Sequence, residues 1–144
     1  MTARRDVLKY IAGTLISSVG GSLLTTGCSA GLATLRTKIE HNTIIISKIE
    51  AQQLSAPNGI LLIYAAGLTT PIILRSVEGH GVVALSLNCT HRGCEVRPFP
   101  DSFECPCHGS EFNTLGEVLA GPARKSLKKF KVVENTSSWT IKIS

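Results

Sequence analysis

Cys89-Thr90-His91-Arg92-Gly93-Cys94 and Cys105-Pro106-Cys107-His108-Gly109-Ser110 decide how this 144-residue chain is read. Each run supplies one cysteine–histidine pair, and each holds one further cysteine. Two thiolates with two imidazoles are the donor set of a [2Fe–2S] centre in which histidines have replaced two of the four cysteines. A structural zinc site also accepts two cysteines and two histidines. Zinc modules usually take both thiols from one C-x2–4-C turn and both imidazoles from one H-x3–5-H segment. Here each run contributes one of each. The chain is therefore expected to carry one electron at a time.

The two runs resemble the Rieske iron–sulfur signature, and the resemblance extends from about Ile39 to the C-terminus. Carried over position by position, it implies that Cys89 and Cys105 ligate one iron and His91 and His108 the other, in a single [2Fe–2S] cluster. It also implies a disulfide between Cys94 and Cys107; the alternative is two ordinary buried thiols. Such a bridge typically contributes about 2–4 kcal/mol and requires an oxidising compartment. It would staple two solvent-facing loops with little core beneath them. Imidazoles are neutral where thiolates are anionic, so this ligand set is easier to reduce, at roughly −150 to +300 mV against about −400 mV for plant-type ferredoxins. The second ring nitrogen of each histidine can titrate, which couples electron transfer to proton transfer. His91 and His108 are thus the expected contacts with a quinol or a partner protein.

Gly93 and Gly109 follow the ligand runs, where sharp turns and close approach to a cluster favour a residue without Cβ. In quinol-oxidising proteins of the resembled family, a serine at the place of Ser110 donates to a cluster sulfide. A tyrosine two residues later donates to a cysteine sulfur, and Phe112 stands there in this chain. Hydrogen bonds to sulfur raise the potential by stabilising the more negative reduced state. The cluster is therefore expected below the highest-potential members, unless Phe112 is simply a core aromatic. Gly121-Pro122-Ala123 resembles the family's proline-bearing loop over the cluster, with Arg124 where a second proline is usual. An ordinary strand-ending turn would read the same way.

Away from the motif, the pattern is all-β. Thr43–Ile46, Ile60–Tyr64, Ile72–Val77 and Val82–Leu87 are short apolar runs separated by Pro57-Asn58-Gly59, Gly67 to Pro71 and Glu78 to Gly81. Phe130–Val133 and Trp139–Ile143 flank Glu134–Ser138 as a terminal hairpin, with alternate residues sharing a face. The apolar pattern lapses from about Asn88 to Pro122, which fits a cluster-binding subdomain inserted into a Rieske-type antiparallel β-sandwich. The division expected is 1–38 as leader, anchor and tether and 39–144 as the cluster domain.

Arg4-Arg5 precedes Lys9, and no charge occurs between Tyr10 and Leu35. This resembles a twin-arginine export signal, with Ala3 where serine or threonine is usual and Val7 where phenylalanine is common. That route carries folded cargo, which suits a cofactor inserted before export. The uncharged stretch of 26 residues is long enough for a bilayer that needs about 20. Three fates are open: an uncleaved anchor, cleavage before Cys28 with lipidation of that cysteine, or complete removal. If the span ends near Thr26, residues 27–38 would make a tether reaching about 40 Å at most.

The formal charge of +5 falls to +3 over residues 36–144, with 12 basic against 9 acidic, so nucleic-acid binding is not implied. Five of the eight residues from Arg124 to Lys131 are Lys or Arg, which is either a solvated face or a dock for an acidic redox partner. With one domain beyond the leader there is no room for an appended catalytic site. The expected role is a membrane-associated, extracytoplasmic electron carrier with a cytochrome b/c-type partner, most like the quinol-oxidising subunit of cytochrome bc-type complexes. Small Rieske subunits of molybdenum enzymes such as arsenite oxidase are the alternative. A ferredoxin feeding an oxygenase is a third, and such ferredoxins lack counterparts of Cys94 and Cys107.

Overall fold

The computed structural model describes residues 31–143. Seven strands form one barrel-like sheet: β1 (Thr34–Lys38), β2 (Thr43–Ser47), β3 (Ile60–Ala66), β4 (Ile72–Val77), β5 (Gly81–Ser86), β10 (Lys129–Glu134) and β11 (Ser138–Lys142). Four short strands inserted between β5 and β10 form a second sheet: β6 (Arg97–Pro98), β7 (Ser102–Glu104), β8 (Glu111–Asn113) and β9 (Val118–Ala120). All six apolar runs read from the sequence are strands. Among the described residues the only helical piece is a 3-10 turn, Gln52–Ser55, and no helix is long and apolar enough to cross a membrane. The export signal, the uncharged stretch as far as Ala30, and Cys28 lie outside the described residues.

β1 was not expected. Thr34–Lys38 ends the stretch read as a tether, yet it pairs in parallel with β3, from Thr34 opposite Leu62 to Lys38 opposite Ala66. Its Thr-Leu-Arg-Thr-Lys sequence has only one apolar residue to half-bury, as an edge strand requires. A two-residue turn, His41-Asn42, then reverses the chain into β2, with φ of 47° and 59°. Positive φ at both central residues is the turn whose twist matches flanking strands.

In the order β1-β3-β4-β5-β10-β11-β2, β10 joins the two halves of the sheet by serving two partners. Lys129 and Phe130 pair with Leu85 and Ala84 of β5, and from Lys131 onward the strand pairs with β11. Ile44, Ile46, Leu61, Ile63, Ile72, Leu74, Trp139 and Ile141 fill the interior. The alternate residues of β3, β4 and β5, namely Leu62, Ile73 and Leu85, point to the other side and meet Phe103 and Phe112 of the small sheet. Strands buried on both faces read as unbroken apolar runs, which is why Ile60–Ala66 shows no alternation.

This second core corrects the expectation of loops with little beneath them. Cys89 and Cys105 themselves belong to it, with Leu87, Val96, Ala123 and Leu127. Phe103 opposes Phe112 across β7–β8, and both are fully buried. Truncating either to alanine should cost about 3–5 kcal/mol. Arg75 shares its face of β4 with Ile73 and is also fully buried. Its Nη1 donates to the Phe99 carbonyl at 2.9 Å, and its guanidinium lies 5.9 Å from the Phe103 ring centroid. Burial lowers its affinity for the proton, and Asp101 opposes that effect. Arg75 thus ties the large sheet to the hairpin that leads into the second ligand run.

Candidate metal centre

Both ligand runs fold into the same hydrogen-bonded loop. In the first, the Cys89 N–H donates to the Cys94 carbonyl at 2.9 Å and the Gly93 N–H to the Cys89 carbonyl at 2.8 Å. In the second, the Cys105 N–H donates to the Ser110 carbonyl at 2.8 Å and the Gly109 N–H to the Cys105 carbonyl at 3.0 Å. Cysteine at the first place and glycine at the fifth are common to the two. The glycines have φ of 80° and 71°, a region that side chains other than glycine enter at a cost. The repeat is visible in the sequence as C-x-x-x-G and was missed there, because its meaning lies in the backbone pairing.

The two loops bring the sequence-selected residues to one tip. Cys89 and Cys105 are buried beneath it, 3% and 1% exposed. His91 is half-buried and His108 exposed above them. The imidazole rings stand edge to face, with centroids 4.8 Å apart and planes at 89°. Sulfur therefore lies inward and nitrogen outward. Cys94 and Cys107 form a disulfide, S–S 2.07 Å, that links the loops. The Sγ atoms of Cys94, Cys105 and Cys107 lie within 4.8 Å of one another, but a disulfide has no thiolate to offer, so of these three only Cys105 is a candidate ligand.

The electrostatics fit a cationic centre held by these groups. Burial pushes the Cys89 thiol up, and the adjacent Cys105 thiol adds to the rise, while the N–H groups of His91 and Arg92 bond to the Cys89 sulfur and oppose it. Two neighbouring buried thiols ionise together only beside positive charge. Partial burial, His108 and Arg92 hold the His91 imidazole below its ordinary range, in the neutral form that binds metal. The His91 Nδ1 is shielded from solvent and has no protein partner. Buried polar atoms are normally paired, so an orphan needs an explanation; a metal ligand atom is one.

A third loop closes over the first two. Gly121–Pro122 is a cis peptide and leaves Pro122 exposed, with Ala123 buried behind it. The Ala123 N–H donates to the fully buried Ser110 hydroxyl at 3.0 Å. Thr90 in the first ligand loop donates its hydroxyl to the Lys125 carbonyl at 2.5 Å. Ser110 and Thr90 thus clamp the proline loop to one ligand loop each. Ala123 was read as part of the proline loop, but the contact between Thr90 and Lys125 was not foreseen, since only the fold places residues 90 and 125 side by side. Phe112 packs in the core, bearing no hydroxyl.

Such a chain, a double-sheeted β-protein whose paired Cys/His loops converge on one tip, is an iron–sulfur protein with mixed thiolate and imidazole ligands. The model of the Rieske [2Fe–2S] domain matches residues 48–131. The chain belongs to that family and carries one Rieske [2Fe–2S] cluster. It is 29% identical over 153 residues to cytochrome b6-f complex iron-sulfur subunit 3 of Nostoc sp. (strain PCC 7120), covering 96% of this chain and 86% of that one. It is 34% identical over 88 residues to the cytochrome b6-f complex iron-sulfur subunit of Synechococcus elongatus, covering 60% and 49%. The apo form of the quaternary ammonium Rieske monooxygenase CntA superposes with a TM-score of 0.61 over 75% of this chain and 34% of its own, at 18% identity, a likeness of fold alone.

Proposed function

We propose that the protein is the iron–sulfur subunit of a quinol-oxidising cytochrome bc-type complex, taking one electron from quinol and passing it to a cytochrome. Cys89 and Cys105 would hold the inner iron, and His91 and His108 the outer one. The cluster supplies a one-electron couple; the chain supplies its position and its proton chemistry. The observation that carries the reading is the layered tip, with buried thiols below and edge-to-face imidazoles above. An outer imidazole is where a quinol hydroxyl would hydrogen-bond and where a proton would leave with the electron. Ser110 accepts from Ala123 with its oxygen and keeps its own proton to donate to a sulfide. The relatives named as cytochrome b6-f subunits support the same assignment.

The folded domain is proposed to face an oxidising, extracytoplasmic compartment. The Cys94–Cys107 disulfide and the twin arginines at Arg4-Arg5 support that placement. Residues 1–38 would export and anchor the domain, with β1 folded onto it. The test is anaerobic addition of a quinol to membranes holding the full chain, with the cluster followed by paramagnetic resonance. Reduction that is blocked by a non-oxidisable quinol analogue but retained with dithionite is the expected result. No reduction by quinol in cluster-replete membranes would refute the reading. Phe112, buried where quinol-oxidising relatives carry a tyrosine, favours a second reading as the small subunit of a molybdenum enzyme such as arsenite oxidase. Co-purification with a molybdopterin subunit, without quinol reactivity, would select it.

A further inference from the structure

Seven basic residues run from the ligand loops down one side of the domain: Arg92 in the first loop, Arg124 and Lys125 after the proline, Lys128, then Lys129 and Lys131 on β10, and Lys142 on β11. All are exposed. Among the described residues the one ion pair within 4.0 Å is Lys48–Glu134, so none of the seven is held in a salt bridge. Two contacts fix its upper end beside the cluster loops. The Lys125 carbonyl receives the Thr90 hydroxyl, and the Lys128 carbonyl receives the Ser86 N–H at 2.9 Å, three residues before Cys89. From there Lys129 and Lys131 project from one face of β10, two residue rises or about 7 Å apart. That is within one Debye length at 0.1 M salt, about 10 Å, so neighbouring charges of the stripe act together on an approaching partner.

The lower end is built against the stability of the fold. Lys131 stands directly opposite Lys142 in the β10–β11 ladder, and like charges so placed are destabilising. Where β10 leaves β5 for β11, the strands part and leave a groove of about 420 Å³, rimmed by His80, Lys129 and Lys131 and floored by Val82, Phe130 and Val132. A solvated face does not need unpaired lysines across a ladder beside a concave apolar floor. We propose that this stripe is the docking surface for an acidic redox protein that receives the electron. The inference rests on the electron-transfer reading. Complementary charge raises encounter rates by about 10–1,000-fold, falling steeply with salt, and the surface approaches the ligand loops at its upper end.

The test uses the full chain with its cluster and an acidic c-type cytochrome as probe, with binding by calorimetry and electron transfer by stopped flow, at low and high ionic strength. Wild type should bind and react at low salt, with both falling steeply as salt rises. The double reversal Lys129→Glu/Lys131→Glu should weaken binding and slow the reaction about ten-fold or more. The control Arg36→Glu/Lys38→Glu, on the far edge strand with the same change of charge, should alter them less than about two-fold. Lys131→Glu alone should unfold at no lower temperature than wild type, since it faces Lys142, which separates lost docking from lost folding. Equal effects of stripe and control variants, or none from either, would overturn the proposal. So would binding to phosphatidylglycerol vesicles that the stripe variant loses while cytochrome binding stays intact, which would assign the stripe to a lipid surface. A complex that forms while no electron passes would leave the dock standing and sink the electron-transfer reading; the dithionite-reduced cluster confirms that the carrier itself is competent.

Discussion

Replacing Ser110 with alanine should have two separable consequences. The residue is fully buried, and its oxygen accepts the Ala123 N–H at 3.0 Å. Without it, that N–H loses its partner in a buried position, at a cost of about 1–3 kcal/mol, read as a lower midpoint in urea. The second consequence is electronic. A hydrogen bond to a charged group contributes about 1.5–3 kcal/mol, against about 0.5–1.5 for a neutral pair. With the Ser110 proton on a cluster sulfide, as proposed, the reduced cluster, one charge more negative, would gain about 1–1.5 kcal/mol more from it than the oxidised cluster does. For a one-electron couple about 1.4 kcal/mol corresponds to 59 mV, so the midpoint should fall by about 40–65 mV. The assay is a redox titration followed by paramagnetic resonance on protein with full iron and sulfide content. Ser110→Thr keeps the hydroxyl and should restore most of the potential, with some loss of stability from the added methyl. An unchanged midpoint in a cluster-replete Ser110→Ala variant would refute the reasoning.

Phe112→Tyr should raise the midpoint by a similar amount, measured in the same titration, if the new hydroxyl reaches a ligand sulfur; no rise would leave Phe112 as a core aromatic alone. Gly116→Ala should destabilise by about 1–3 kcal/mol more than Gly79→Ala in denaturant melts. Both glycines have positive φ, but a Cβ at Gly116 would meet the Leu85 Cδ2 at 3.0 Å and the Leu127 Cβ at 3.2 Å, whereas at Gly79 it would meet nothing within 4 Å. The Lys48 ammonium, 2.6 Å from the Glu134 carboxylate, holds that carboxylate below its ordinary range through the hydrogen bond it donates. A lowered folded pKa contributes stability above the unfolded value, about 4.3, and loses it as pH falls through the folded one. Lys48→Ala should therefore cost about 0.2–1 kcal/mol at neutral pH, since Glu134 is exposed and Lys48 only half-buried, and the gap should close in acid. A gap that persists in strong acid would assign the effect to the Lys48 ammonium over the Trp139 ring, 5.1 Å from its centroid.

The sequence by itself determined the class of protein and most of the strands. Alternation in Trp139, Ile141 and Ile143, and turn residues such as Pro57-Asn58-Gly59, are local signals, because a strand's faces and a turn's φ depend on a few neighbouring residues. The two Cys/His runs are local as well: each loop closes on its own backbone hydrogen bonds, so each can be read in isolation. Tertiary structure alone decided what those signals meet. Thr34–Lys38 carries almost no strand signal and becomes one only because the edge of β3, far along the chain, offers its hydrogen-bonding groups. The core under the tip needs both faces of β3 to β5, and nothing in Ile60–Ala66 says which residue faces which sheet. Arg75 is the one charge in the run Ile72–Val77, yet is fully buried because the inserted hairpin covers its face of β4. The clamps from Ser110 to Ala123 and from Thr90 to Lys125 join segments 13 and 35 residues apart. Pairings of that kind are selected by the packing of the whole chain, where the entropy of closing loops is met by contacts that no single stretch contains.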